Sequence, residues 1–178
     1  MWITRQALWI LPALIAVVAG YTDYRWRRIP NWLTVPGLAL GIAVNSIAHG
    51  WSGTKTSLLG AGLGLLILLP FVLVRSLGAG DWKLVGALGA FLGPQPLITV
   101  LFATLLIAGA MAFVLVIWKK RVRQTFRNIG RLLAALVSFH LPGQDVSLDN
   151  PEALKIPFGI ALAIAVILYA ISQARGVG

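Results

Sequence analysis

The chain contains no cysteine. That absence excludes disulfides, thiolate metal sites and a cysteine nucleophile, and it leaves the compartment open. Acidic residues are scarce as well, with five Asp+Glu against 15 Lys+Arg in 178 residues. At 11% charged residues the chain holds far fewer than the roughly 25% needed to solvate a globular surface. Only two histidines occur, His49 and His140, and neither has a partner acid at metal-ligand spacing, so no metal site is expected. The glycine run Gly60-Ala61-Gly62-Leu63-Gly64 has no Lys-Ser/Thr after it, which excludes a phosphate loop.

What is present is apolar sequence: 58% hydrophobic residues and a mean hydropathy of +0.87. The apolar runs are continuous rather than alternating, so the expected fold is an all-α integral membrane bundle and not a barrel. Charge-free gaps place six transmembrane helices at about 6–22, 32–49, 57–74, 82–92, 97–118 and 156–172. Pro94-Gln95-Pro96 divides a gap too long for one helix. The fourth helix, 82–92, would then reach about 17 Å, against a hydrocarbon core of roughly 30 Å. It is expected to be short and to start within the membrane plane. The spacings Gly37/Gly41 and Gly60/Gly64 allow close helix packing.

Residues 119–155 form the expected cytoplasmic loop between helices 5 and 6. Phe126, Ile129, Leu133, Leu136 and Val137 recur at helical spacing opposite Arg123, Arg127 and Arg131, which predicts an amphipathic helix lying on the membrane surface. Trp26, Trp32, Trp82 and Trp118 suit interface anchoring.

The net charge of +10 does not imply nucleic acid, because the basic residues flank the ends of apolar runs. With six spans, twelve of the 15 basic residues fall on one side, and Arg5, Lys55 and Arg175 on the other. The positive-inside rule puts the larger group in the cytoplasm and both termini outside. The first span is expected to be retained, since Arg5 alone is a weak signal-peptide n-region and cleavage would move Asp23 to the opposite face. The segments 25–28 and 119–131 are expected to hold anionic membrane lipid.

This topology leaves Asp23 and Asp81 at the same cytoplasmic edge, and they are the only acids in the first 144 residues. A carboxylate beside a bilayer can pair with a neighbouring base, here Arg25, Arg27 or Lys83. It can also carry protons, as in a small proton-coupled transporter, although such a protein needs its acids near the midplane. Two carboxylates brought close share a proton. The ionised one can then activate water while the protonated one polarises a carbonyl, which is aspartyl proteolysis. Helix dipoles predict Asp81 as the anion, at a helix start, and Asp23 as the acid, at a helix end. Gly78 and Gly80 would let a substrate backbone approach.

Gly78-Ala79-Gly80-Asp81-Trp82-Lys83, preceded by Asp23 and by Arg27-Arg28-Ile29-Pro30-Asn31, resembles the type IV prepilin peptidase family of GxGD membrane aspartyl proteases. Lys155-Ile156-Pro157-Phe158-Gly159 resembles the family's Pro-aromatic-Gly landmark at the start of the last helix. The resemblance implies that Asp23 and Asp81 are the catalytic pair. It implies that Gly78, Gly80, Lys83, Pro157 and Gly159 support the site, and that neither metal nor cofactor is required. The substrate it implies is a prepilin, cut after a glycine between a short basic leader and a hydrophobic helix.

The chain departs from the bifunctional members in lacking their Cys-x-x-Cys domain, so N-methylation is not implied, and it is similar instead to the short peptidases of Tad/Flp-type pilus systems. Ile160 stands where many relatives have a second proline. Pro12-Ala13-Leu14 precedes both aspartates and so does not match the late Pro-Ala-Leu of presenilin-like proteases. A basic leader would be repelled by the basic segments, so Asp145, Asp149 and Glu152 are its expected contacts. The sequence does not fix the oligomeric state.

Overall fold

The computed structural model describes residues 2–73, 77–118 and 158–175. The expected amphipathic helix, the loop 119–155 with Asp145, Asp149 and Glu152, and Pro157 lie outside the described residues. The described residues form five α-helices: α1 (Trp2–Trp26), α2 (Asn31–Leu73), α3 (Ala79–Leu92), α4 (Pro94–Trp118) and α5 (Phe158–Arg175). Helix α2 is broken at Gly50, whose φ of 60° and ψ of −142° divide it into arms 31–49 and 51–73. A Cβ at Gly50 would meet nothing within 4 Å, so the glycine is there for its left-handed backbone.

The expected second and third spans are therefore two antiparallel arms of one hairpin. The stretch 51–56, between the two expected spans, is helical. Its hydroxyls bond back into the helices: Thr54 Oγ1 donates to Gly50 O at 3.3 Å, Thr56 Oγ1 donates to Ser52 O at 3.0 Å, and Ser46 Oγ pairs with Thr54 Oγ1 at 2.7 Å.

Along α2 small residues face inward and large apolar ones outward. Gly37, Gly41, Gly53, Ser57, Gly60, Ala61 and Gly64 are buried along α2, while Val35, Leu40, Leu59, Leu66 and Phe71 are exposed. On α4 the exposed set includes Phe102, Leu105, Leu106, Phe113 and Val114. This distribution suits lipid around the bundle and small-residue contacts between helices. Helices α2 and α4 are long and apolar enough to cross a membrane.

The two arms of α2 clasp α3, while α1 packs on α5 and α5 on α4. Every residue of α3 from Leu84 to Leu92 is buried, so the short helix expected from the sequence is the central one. Its 14 residues reach about 21 Å, and its C-terminal end is buried among the other helices. A helix ending there leaves carbonyls that no water can satisfy. Asn45 Nδ2 donates to Ala90 O at 2.8 Å and to Phe91 O at 2.9 Å, and Ser57 Oγ donates to Ala90 O at 2.6 Å. Gly93, at φ 77°, donates its own N–H to Gly89 O at 2.9 Å. Pro94 then opens α4 at a position where its missing N–H costs nothing.

Candidate active site

Helix α1 stops where Arg27 turns left-handed, at φ 53°, and Pro30 follows three residues later. Its last turn holds Asp23, whose main-chain carbonyl accepts the Arg27 N–H at 2.9 Å. Helix α3 starts after Gly78, an extended N-cap with no side-chain cap, and Asp81 lies in its first turn. A C-terminal helix end and an N-terminal one thus present their acids to the same space.

That space is a cavity of about 430 Å³ lined by Asp23, Arg27, Arg28, Ile29, Pro30, Asn31, Gly78, Ala79, Gly80 and Asp81. Both acids lie just beyond the apolar spans expected at 6–22 and 82–92. Asp23 is 9% exposed, and its Oδ2 accepts the backbone N–H of Gly159, at the start of α5, at 3.0 Å. Asp81 accepts a hydrogen bond from the Gly78 N–H, while its Oδ1 is buried with no partner. Each carboxylate is thereby held by a glycine N–H.

The glycines are explained by contact. A Cβ on Gly159 would lie 3.0 Å from both Cβ and Oδ2 of Asp23, and one on Gly78 would lie 3.0 Å from Asp81 Oδ2. A Cβ on Gly80 would lie 3.1 Å from Ile29 Cβ and 3.2 Å from Ile29 O. Gly80 therefore seats the α1–α2 connector on the start of α3. This role differs from the one expected of it, which was admitting a substrate backbone.

Burial raises the Asp23 carboxyl above 3.8, opposed by the Gly159 N–H and the Arg27 charge. Burial, then the charge of Asp23, push Asp81 up to about 7 against the Gly78 N–H. The upward shift of Asp81 runs against the expectation from helix dipoles, which made it the anion: a dipole is only a partial charge near a helix end, and removal from water opposes it here.

Of the other expected site residues, Lys83 lies outside the cavity lining, and its Nζ donates to Asn31 Oδ1 at 3.0 Å. Trp82, expected as an interface anchor, instead donates its indole N–H to Leu65 O at 2.7 Å, tying α3 to α2. Arg27, expected as a possible partner of Asp23, lines the cavity, and so do Ile29 and Asn31, which the sequence offered only as part of the basic run. Their signal was adjacency, since all three fall within the basic run that follows Asp23. Among the described residues no three His, Asp or Glu side chains gather as metal ligands.

An all-helical membrane bundle with two aspartates at one edge and a glycine backbone donor to each defines a membrane-embedded two-aspartate site. The chain belongs to the Type IV leader peptidase family, whose profile matches residues 10–113 and so covers both aspartates. It is 28% identical over 132 residues to the prepilin leader peptidase/N-methyltransferase of Xanthomonas campestris pv. campestris, covering 70% of this chain and 45% of that protein. It is 32% identical over 127 residues to the protein of that name from Neisseria gonorrhoeae, covering 67% and 43%. For that from Burkholderia pseudomallei strain K96243 the identity is 34% over 124 residues, covering 66% and 39%. The chain thus spans less than half the length of these curated relatives. No solved structure matches.

Proposed function

We propose that the chain is an aspartyl endopeptidase that removes the short basic leader of pilin-like precursors at the cytoplasmic face of the membrane. The observation that carries this reading is the pairing of Asp23 and Asp81 on one cavity. Asp23 accepts the Gly159 N–H and Asp81 keeps an oxygen without a partner, and in this reading Asp23 is the ionised member and Asp81 the protonated one. The relatives named as prepilin leader peptidases support the choice of substrate.

In the proposed reaction ionised Asp23 takes a proton from water as the water oxygen bonds to the scissile carbonyl carbon. The carbonyl oxygen takes its proton from Asp81, giving a neutral gem-diol and leaving Asp23 protonated and Asp81 ionised. Collapse breaks the C–N bond. Asp23 gives its proton to the departing amine, and Asp81 recovers one from a diol hydroxyl as the new carboxyl forms. Asp81 Oδ1, buried without an acceptor, is where the resting proton would sit.

The accompanying topology has six crossings, counting the two arms of α2, α3 and the three other helices. Both termini are outside, and the cavity opens toward the cytoplasm beside the basic connector. The membrane protein is placed in the inner membrane, and its N-methylation is not proposed.

The test is co-expression with a candidate prepilin, comparing wild type with Asp23→Asn and Asp81→Asn. Wild type should remove the leader, and each variant should leave it attached, a loss of about 10³-fold or more. Normal cleavage by either variant would end the two-aspartate reading. A proton-coupled transporter would show no leader removal with any of the three.

A further inference from the structure

We propose that Asn31 donates a side-chain amide hydrogen bond to the carbonyl oxygen of the scissile peptide, in an orientation that Lys83 enforces. The proposal rests on the peptidase reading and adds to it a donor for the oxygen on which charge develops. It also gives the lysine of the G-x-G-D-x-K stretch a positioning role.

Asn31 is exposed and lines the cavity together with both aspartates. Lys83 Nζ lies 3.0 Å from Asn31 Oδ1. An ammonium has donors and no acceptor, so it can only hold the amide by its oxygen. The Lys83 contact therefore fixes which arm is which, leaving the two N–H donors on the other side of the group. Among the described residues those donors have no hydrogen-bond partner. The group is also well anchored: Asn31 opens α2 directly after Pro30, and Ile29 rests against Gly80, one residue before Asp81.

The chemistry of the cavity makes this donor distinctive. Among the described residues that line it stand two carboxyls, two guanidiniums, small or aliphatic groups and one amide, so Asn31 is the one that offers neutral N–H donors beside the two acids. A neutral donor stabilises a developing oxyanion without the full positive charge that would strip the proton from Asp81. Preorganised donors of this kind contribute about 10²–10³-fold in rate.

The experiment uses the full chain in detergent or proteoliposomes and a synthetic precursor with a short basic leader ending in glycine before an apolar helix. Asn31→Asp keeps an oxygen for Lys83 and removes the N–H donors, while Asn31→Ala removes both. Each should lower kcat/KM by about 10²-fold at every pH tested. Lys83→Arg should stay within a few-fold of wild type. Lys83→Met should lose activity, and Asn31→Ala/Lys83→Met should be no worse than Asn31→Ala alone, because Lys83 acts through Asn31.

Wild-type activity in Asn31→Asp would overturn the proposal. So would a loss in that variant that disappears on shifting the pH, since the added carboxylate would then be acting only on the titration of the dyad. Losses that multiply in the double variant would overturn it too. If Asn31→Ala fails to fold, Asn31→Asp carries the test, because its link to Lys83 is kept. Asp23→Asn runs alongside. A precursor that wild type leaves uncut removes the peptidase reading itself, whereas cleavage by both wild type and Asn31→Asp removes only the role of Asn31.

Discussion

Gly159 donates its backbone N–H to Asp23 Oδ2 at 3.0 Å across 136 positions of sequence. The last described helix is thus part of the site, and it acts through its main chain. Its glycine is also a spacer, because a methyl group there would meet the carboxylate it serves. Gly159→Ala should therefore displace the Asp23 carboxylate while the bundle stays folded. The expected outcome is a fall in kcat of about 10²-fold with little change in thermal stability. Steady-state cleavage beside a melting curve checks this, and an unaltered kcat would show that Asp23 does not depend on the contact.

The pH dependence follows from the dyad. Cleavage should decline as pH rises through about 7, where Asp81 loses its proton, and decline again in acid as Asp23 gains one. Stability moves in the same window. The folded chain holds a proton on Asp81 up to about 7, whereas the unfolded chain releases it near 3.8. Unfolding between these values releases a proton, so this contribution is fully present below about 4 and is lost as pH rises toward 7. Asp81→Asn should then be the more stable protein at pH 8, by on the order of a few kcal/mol, with the difference vanishing near pH 4. Melts at the two pH values test the sign.

Asn45 and Ser57 are expected to matter for stability far more than polar residues in apolar helices usually do. Asn45→Ala leaves Phe91 O without its donor and leaves Ala90 O to Ser57 alone. A buried carbonyl without a partner costs about 1–3 kcal/mol. Asn45→Ala should lower the melting temperature in detergent more than Ser57→Ala, which leaves both carbonyls bonded to Asn45. Equal, small effects would mean that the end of α3 is satisfied in another way.

Gly80→Ala tests the seat of the connector. The added methyl would lie against both the side chain and the main-chain oxygen of Ile29. It should lift the 27–31 segment and reduce cleavage about 10-fold or more. Combining it with Ile29→Gly, which removes the touching Cβ, should restore only part of the loss, since the main-chain contact persists. Full restoration would assign the effect to the side chain alone.

Much of the bundle was legible in the sequence because hydropathy and charge act locally. Charge-free gaps located the helices, and the uneven placement of basic residues put Asp23 and Asp81 on one face. What was not legible depends on contacts between distant segments. The value of Asn45 lies in the end of α3, 45 positions away, and the partner of Lys83 lies 52 positions away. Trp82 reads as an interface residue until Leu65 O is found beside its indole. The upward shift of both carboxyls was not legible because helix ends can be read from sequence, while the depth of a carboxylate cannot.

The burial of α3 decides which parts of the site can give way. Gly60 and Gly89 meet backbone to backbone, Gly64 rests on Val85, and Gly86 on Leu65. Neither sliding nor rotation of α3 is possible without parting these contacts. Asp81 is thus carried on the helix that the rest of the bundle grips, and its place in the cleft is fixed by glycine contacts far from the cavity itself.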